Sequence, residues 1–416
     1  MFDIAAGVWK RLAKEMGESS ALDLLIKLAA ALVFFALLYV AKRLGAQLWP
    51  RLRRWWLTKR TLLAKIAKLE SRLDRGLRAV GRIDHGTHSS EGAGVWLTKP
   101  VQWPWSDDQY RLKLLDSIPI WVFANNKGGV AKTTHSCNLA AHYALRERLA
   151  EPSGKAVLLL DLDYQGSSSS MTASDADRIP PPNHDSLATR LVSGQMKPED
   201  LLQAPVVRQR DIEELSLRVV PSYYDLAQAE NRLLIEWLFG ESGPDVRYRL
   251  ASILHHPVVQ ANFSRVIIDA PPRLTTACIQ ALCAATHVVI PTVLDRLSGE
   301  AVGSYLGQIE TLKTAKVCPF LRYGGVVAYH SGQAFKHVAD AEDSIRDALR
   351  VSGLDENLYL SDAIVTHNPL LAESAGQQIG YARRQPRGEV DRLRSMYDRL
   401  ATAIEGVIAR QDGARR

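Results

Sequence analysis

Residues 118–137 (IPIWVFANNKGGVAKTTHSC) constrain the fold more than any other stretch, because two glycines separate an apolar run from a helical pattern there. The run at 118–123 is rich in β-branched and aromatic residues and predicts a buried strand. Gly128 and Gly129 predict a tight turn, and the pattern from Ala131 onward predicts a helix. A turn of this kind before a helix N-terminus places backbone N–H groups around an anion. The stretch therefore predicts a phosphate-binding loop.

The helix after the turn begins with side chains that suit a nucleoside triphosphate. Lys132 supplies an ammonium for the β- and γ-phosphate oxygens, and Thr133 supplies a hydroxyl for Mg²⁺. The general phosphate-loop pattern has glycine at the positions of Asn126 and Ala131. This chain has instead a second lysine, Lys127, directly before the two glycines.

The string KGGVAKTT at 127–134 resembles the deviant phosphate-loop motif (KGGxxK[ST]) of the ParA/MinD family of dimerising ATPases. The resemblance implies ATP and Mg²⁺ as cofactors, slow Mg²⁺-dependent hydrolysis to ADP and phosphate, and a homodimer that forms on ATP binding. In that family the first lysine reaches the nucleotide of the partner, so Lys127 and Lys132 are both expected to act in catalysis. The nucleotide contacts implied by the string are Lys127, Gly128, Gly129, Val130, Ala131, Lys132, Thr133 and Thr134.

A second apolar run, AVLLLDLD at 156–163, ends in two carboxylates and continues YQG. Alternation along a strand would place Asp161 and Asp163 on one face, at the sheet edge where doubly wound folds bind ligands. The string resembles the DxDxQG string of the same family, although Tyr164 replaces the usual proline. By that resemblance Asp163 orients the attacking water, and Asp161 helps to hold the hydration shell of the metal.

A third string, RVIIDAPP at 265–272, delivers Asp269 at the end of a hydrophobic run. It resembles the Walker B strand and switch segment of the family, which implies that Asp269 acts on Mg²⁺. Arg273 follows, either as a phosphate or partner contact or as a solvated loop residue. The string THVVIPT at 286–292 resembles the strand whose end lies beside the adenine, so Pro291 is expected to contact the nucleotide.

The resemblance implies an α/β fold, namely a P-loop NTPase domain with a doubly wound, mostly parallel sheet over residues 118–412. Two further stretches, at 217–233 and 360–380, extend the resemblance. The four cysteines are scattered and the histidines lack metal-ligand spacing, so no metal other than Mg²⁺ is expected.

Charge is distributed unevenly along the chain. Residues 1–82 hold 17 Lys and Arg against 6 Asp and Glu, whereas the other 334 residues hold 35 against 39. The basic character therefore belongs to an N-terminal arm. We divide the sequence before the ATPase domain into an N-terminal segment (1–23), a transmembrane helix (24–41), a basic juxtamembrane and amphipathic helix (42–83), and a linker with a tryptophan-rich end (84–117).

Residues 24–41 (LLIKLAAALVFFALLYVA) contain a single charge, Lys27, and predict a membrane-spanning helix. An interfacial helix and a buried helix of an oligomer are the alternatives. Seven Lys and Arg lie in 42–60 against three in 1–23, which predicts that the ATPase domain faces the cytoplasm of a bacterial inner membrane. The tryptophans at 49, 55 and 56 are typical of a membrane interface.

The segments between the membrane and the domain are of two kinds. Apolar residues recur at helical spacing over 58–83, which predicts an amphipathic helix. A free-standing coiled coil has weak support because fewer than four clean heptads are present, and packing on the ATPase body or on a partner helix is an equal alternative. Residues 84–99 read as a linker. Beyond them, Trp96, Trp103 and Trp105 suggest that the end of the linker packs onto the domain.

Three functional classes fit the sequence. The first is a membrane-anchored ATPase switch that positions or partitions a partner, with non-specific DNA binding by the arginines at 383, 384, 387, 392 and 394 as one possibility. The second is an ATPase subunit of a secretion, surface-polymer or phage-defence complex that gates an unknown protein partner without DNA. The third is a tyrosine-autokinase-like phosphotransferase, which is disfavoured because the tail holds only Tyr381 and Tyr397.

Overall fold

The structure is a computed structural model that describes residues 21–86, 93–151, 154–208, 214–240, 243–330, 338–385 and 387–413. The chain divides into two compact units, Met1–Asp74 and Arg75–Arg416. The basic residues predicted to precede the membrane, Lys10, Arg11 and Lys14, lie outside the described residues.

One long helix, α1 (Ala21–Gly86), begins in the first unit and continues past Asp74. Its sequence is rich in Leu, Ala, Arg and Lys, which are strong helix formers. The predicted span and the predicted amphipathic helix both fall within α1, which ends three residues beyond the predicted boundary at 83.

Apolar side chains of α1 are largely exposed wherever they are described, including Leu32 (68%) and Leu37 (64%). The row Leu62, Ile66, Leu69, Leu73 and Leu77 is also exposed. Within the described residues we find no helix with both the length and the apolar composition needed to cross a bilayer. The side chains at 24, 25, 27, 28 and 41 of the predicted span, and those of Trp49 and Trp55, lie outside the described part.

The second unit is built on a parallel sheet, which confirms the predicted α/β class. Among the described residues the sheet has seven strands in the order β3-β2-β4-β1-β5-β6-β7, and all its strand pairings are parallel. Its inner strands are almost continuously apolar, as expected for strands buried on both faces. The strands are β1 (Ile120–Phe123), β2 (Ala156–Asp161), β3 (Leu217–Val220), β4 (Phe263–Asp269), β5 (His287–Val293), β6 (Arg322–His330) and β7 (Val365–Thr366).

Helices connect the strands. The long ones are α3 (Lys132–Ala150), α7 (Asp225–Phe239), α11 (Ser298–Thr314), α12 (Val338–Val351) and α14 (Arg387–Gly413). The shorter ones are α2 (Asp107–Leu115), α4 (Ser167–Thr172), α5 (Asp175–Arg178), α6 (Leu187–Val192), α8 (Arg249–Leu254), α9 (Pro257–Asn262), α10 (Thr276–Ala284) and α13 (Pro369–Ser374). Short 3₁₀ turns include Gly94–Leu97 and Gly380–Ala382.

The register of the central strands positions the site. The last residue of β1, Phe123, lies opposite Asp269 of β4, and Asp161 of β2 also lies opposite Asp269. The order in which the chain adds strands reverses at β1. The strands β2, β3 and β4 lie on one side of β1, and β5, β6 and β7 lie on its other side. The loops after β1, β2 and β4 therefore meet at the carboxyl edge beside this reversal, where such sheets bind ligands.

Candidate functional site

The phosphate loop connects β1 to α3 through left-handed backbone. Gly129 has φ of 70° and Ala131 has φ of 64°. A left-handed conformation is costly for a residue with a Cβ, which explains why glycine is the common residue at the position of Ala131. A Cβ built on Gly128 or Gly129 would meet nothing within 4 Å, so this part of the loop faces open space that a phosphate could enter.

Lys132 is held inside the loop. Its Nζ atom donates to the carbonyl oxygens of Asn125 at 3.2 Å and Lys127 at 2.9 Å. Burial lowers the pKa of this ammonium, while Asp269 and Asp163 act in the opposite direction. The ammonium is thus directed into the loop by backbone acceptors and has no carboxylate bonded directly to it in the described residues.

Two hydroxyls donate to one oxygen of Asp269. The Oγ1 atom of Thr133 lies 2.8 Å from Oδ2, and the hydroxyl of Ser168 also donates to Oδ2. Burial raises the pKa of Asp269 to about 6, because the charged form loses its hydration. The other oxygen, Oδ1, is buried and has no hydrogen-bond partner in the described structure.

This arrangement fits Mg²⁺. A hydroxyl and a carboxylate oxygen are hard oxygen ligands of the kind that Mg²⁺ prefers near phosphates. The unpartnered Oδ1 of Asp269 would otherwise remain as a buried acceptor without a donor, which is unfavourable.

Asp161 and Asp163 differ from the expectation that both lie on one face of a strand. β2 ends at Asp161, and Asp163 lies in the following loop, where its N–H donates to Oδ1 of Asp161 at 3.1 Å. The other oxygen of Asp161 accepts from the backbone and hydroxyl of Ser169 at 2.7 and 2.6 Å. Burial and the neighbouring Asp269 raise the pKa of Asp161 to about 8. Asp161 is therefore held by its own chain, and its metal role stays a prediction.

A cleft of about 490 Å³ contains most of the predicted site residues. It is lined by all of the loop from Gly128 to Thr134, by Asp163 and by Pro272. Pro291 is not among the lining residues: it is buried within β5, and its carbonyl accepts from Asn125 Nδ2 at 2.8 Å.

Several residues of the cleft were not predicted. Gln165, Ser167 and Met171 follow the second carboxylate string, and Tyr329, Leu371, Ala372, Ala375 and Gly376 come from β6 and the region of α13. The resemblance at 360–380 was the available signal for the last four of these. Nothing in the sequence distinguished the serines after Gly166 from the serines of an ordinary loop.

Lys127 lies beside the loop and pairs within its own chain. Its Nζ atom is 2.6 Å from Oδ2 of Asp295, a residue of the loop between β5 and α11. Both side chains are partly exposed. No group of His, Cys, Asp and Glu side chains in the described residues has the geometry of a metal cluster, and the four cysteines are buried and unpaired there.

Comparison with known proteins agrees with this geometry. The family model described as "AAA domain" matches residues 119–320. The chain is 32% identical over 206 residues to the chromosome-partitioning ATPase Soj of Thermus thermophilus, a match that covers 50% of this chain and 67% of the relative. It is 26% identical over 255 residues to the sporulation initiation inhibitor protein Soj of Bacillus subtilis, covering 61% and 90% of the two chains.

A solved structure is also similar. The cobyrinic acid a,c-diamide synthase of Mycobacterium smegmatis, solved with ADP and magnesium, is 28% identical with a TM-score of 0.44, covering 55% of this chain and 81% of the other. The Thermus relative, together with the phosphate loop that leads from β1 into α3 beside Asp269, assigns the family. The chain belongs to the ParA/MinD family of P-loop ATPases.

Proposed function

We propose that the protein is a switch ATPase that binds ATP with Mg²⁺, forms a face-to-face homodimer in that state, and dissociates after slow hydrolysis. The observation that carries this proposal is that Lys132 and Thr133 line one cleft and that Thr133 donates to Asp269, whose other carboxylate oxygen is buried and unpartnered in the described structure. Membership of a family of P-loop ATPases supports the same choice of ligand.

Each residue has a defined task in this proposal. The loop N–H groups and the ammonium of Lys132 bind the phosphates, and Thr133 and Asp269 hold Mg²⁺ with its water shell. The metal supplies charge neutralisation at the β- and γ-phosphates. Asp163, which lines the cleft and is partly exposed, orients the attacking water. Lys127 leaves Asp295 and completes the phosphate site of the second copy.

The switch is tested by self-association of the full-length chain in sedimentation experiments with ATP, with ADP and without nucleotide. ATP should shift the chain to a dimer, and ADP should not. Lys132→Ala should remain monomeric with ATP because its loop lacks the phosphate-binding ammonium. Identical association under all three conditions would contradict the switch.

We further propose that residues 24–41 tether the protein to the bacterial inner membrane, with the ATPase domain in the cytoplasm. Support comes from the apolar sequence of this stretch and from the exposure of Leu32, Leu37 and Tyr39. The full-length chain should then stay with membranes after alkaline extraction, and Leu32→Arg with Leu37→Arg should release it. Complete release of the unaltered chain would contradict the tether.

A protein partner fits the switch better than DNA does. Among the C-terminal arginines, Arg383 pairs with Glu373 at 3.1 Å, and Arg394 donates to the carbonyl of Tyr381 at 3.1 Å. The exposed row Leu62, Ile66, Leu69, Leu73 and Leu77 suits a protein partner that the ATPase positions or gates. Retention of duplex DNA that weakens steeply with salt would favour the DNA alternative instead.

A further inference from the structure

The segment that precedes the ATPase domain packs against it and buries part of its own length. We call residues 93–105 the lead-in. Ala93 is fully buried, and Trp96 is only 1% exposed. The indole of Trp96 packs against that of Trp237 in a tilted arrangement, with ring centroids 5.4 Å apart. These contacts confirm that the tryptophan-rich end of the predicted linker packs onto the domain.

Trp96 also contacts the loop that follows the Walker B strand. Its Nε1 atom donates to the carbonyl oxygen of Leu274 at 2.8 Å, across 178 residues of sequence. Leu274 lies in the 270–275 loop between Asp269, the last residue of β4, and the start of α10. The same loop contributes Pro272 to the wall of the nucleotide cleft.

The 270–275 loop is bordered by open space on the side that faces Trp96. A cavity of about 450 Å³ is lined by Val95 and Trp96 of the lead-in, by Pro272, Arg273 and Leu274, and by Asn126 of the phosphate loop. The loop therefore lies between two cavities, the nucleotide cleft and this one. Within the loop Pro272 lines both cavities, whereas Ala270 and Pro271 are buried, so the hydrogen bond from Trp96 holds the less buried end of the loop, at Leu274.

The lead-in has separate attachments to the rest of the domain. Arg247 is completely buried, pairs with Asp245 at 2.6 Å, and donates to the carbonyl oxygens of Trp96 at 2.8 Å and Pro100 at 2.9 Å. Further along, Trp103 donates to the carbonyl of Lys316 at 3.2 Å. The lead-in thus stays bound to the domain when the bond from Trp96 to the loop is removed.

We propose that Trp96 is a positioning residue for the 270–275 loop, so that the nucleotide state of the cleft changes the conformation of the lead-in. This proposal rests on the proposed nucleotide site. When the loop moves in response to the γ-phosphate, the carbonyl of Leu274 moves with it, and the indole N–H transmits the displacement to residues 93–98. The nucleotide site is coupled in this way to the segment that joins α1 to the domain.

The test is hydrogen exchange of the full-length chain with and without a non-hydrolysable ATP analogue and Mg²⁺. In the unaltered chain the nucleotide should slow exchange in the phosphate loop, in the 270–275 loop and in residues 93–98. Trp96→Phe should keep the response of the first two and reduce that of residues 93–98 at least threefold. Trp103→Phe is the matched control, since Trp103 belongs to the lead-in but bonds to Lys316, and it should behave as the unaltered chain.

A second variant separates the hydrogen bond from the shape of the side chain. Benzothienylalanine at position 96 keeps the bicyclic ring and lacks the N–H donor, so it should give the same reduced response as Trp96→Phe. An unchanged response of residues 93–98 in this variant would overturn the proposal. A response confined to the two loops of the unaltered chain would also overturn it, whereas no response even in the phosphate loop would contradict the proposed nucleotide site itself.

Discussion

The Nζ atom of Lys127 lies 2.6 Å from Oδ2 of Asp295 in the same chain. The lysine that would contact the nucleotide of a second copy therefore forms an intrachain ion pair. Oδ1 of the same carboxylate accepts from the backbone N–H of Leu297 at 2.9 Å and from the hydroxyl of Ser298 at 3.1 Å. Burial alone would raise the pKa of Asp295, but the bond from Lys127 and those from Leu297 and Ser298 together lower it, so Asp295 remains a charged partner at neutral pH.

Asp295→Asn should therefore strengthen ATP-dependent dimerisation. The amide keeps an oxygen for Leu297 and Ser298 but loses the charge that retains Lys127. Since the pair is partly exposed, each copy gains only about 0.2–1 kcal/mol; two copies per dimer should then lower the dimer Kd by roughly two- to thirtyfold. Sedimentation at low salt measures this. Asp347→Asn, which removes an exposed carboxylate 2.6 Å from Arg350, should leave the Kd unchanged.

Ser168→Ala should raise the Mg²⁺ concentration that nucleotide binding requires. The substitution removes one of two hydroxyls that donate to Oδ2 of Asp269, so the carboxylate is less firmly oriented for the metal. The loss of a hydrogen bond to a charged group, about 1.5 kcal/mol, corresponds to about tenfold more Mg²⁺ for half-maximal nucleotide binding. A fluorescent nucleotide titrated at several Mg²⁺ concentrations measures this.

The control for this prediction lies on the same helix. The hydroxyl of Ser170 donates to the carbonyl of Gly166 at 2.9 Å and is not bonded to Asp269. Ser170→Ala should therefore leave the Mg²⁺ dependence unchanged. Equal Mg²⁺ dependence in the two variants would show that the bond from Ser168 does not orient Asp269.

Glu230→Gln should change how stability depends on pH. Burial raises the pKa of Glu230 from 4.5 to about 7, because the charged form is desolvated beside α10, where its Oε1 accepts from Ala277 N at 2.8 Å. The folded-state pKa lies above the unfolded value, so this group's contribution is fully present below about pH 4.5 and is lost as pH rises through about 7. Because glutamine does not ionise, Glu230→Gln should not lose this stability as pH rises.

Urea unfolding at pH 5 and pH 8 measures this effect. The free energy of unfolding of Glu230→Gln, relative to that of the unaltered chain, should increase from pH 5 to pH 8 by up to about 3 kcal/mol. Glu236→Gln, on the same helix and partly exposed, should show no such difference. A Glu230→Gln variant with the same pH slope as the unaltered chain would contradict the assignment of a raised pKa.

Arg247→Met should destabilise the second unit strongly. The substitution leaves Asp245 buried without its cation, and the carbonyls of Trp96 and Pro100 lose their donor. Breaking a buried pair in this way costs about 3–5 kcal/mol. Removing the remaining charge with Asp245→Asn should restore at least about 1 kcal/mol in the double variant. Urea unfolding measures both, and a double variant less stable than Arg247→Met would argue against charge burial as the cause.

Local patterns predicted the elements of the site well. The helix expected from Ala131 onward is observed as Lys132–Ala150, because glycine turns and apolar spacing are local signals. The strand expected to reach Asp163 ends at Asp161 instead. The N–H of Asp163 bonds to the side chain of Asp161, and the N–H of Gln165 bonds to that of Asp163 at 3.0 Å, so side-chain acceptors replace the strand ladder.

Contacts between distant residues were not predictable from the sequence. The bond from Lys127 to Asp295 spans 168 residues, and the bond from Trp96 to Leu274 spans 178. The sequence around Asp295 and around Leu274 does not indicate these bonds, since an aspartate after a strand and a carbonyl in a loop are both common. The sequence indicated that Trp96 would pack on the domain, but only the arrangement of β4 and α10 identifies its partner.

Ala131 adopts left-handed backbone at φ of 64° in the loop that would surround the phosphates. A residue with a Cβ is disfavoured in this region by roughly 1–2 kcal/mol, a cost that glycine at the same position would not carry. Backbone strain is therefore stored at the residue directly before Lys132, and the contacts of the surrounding loop must offset it.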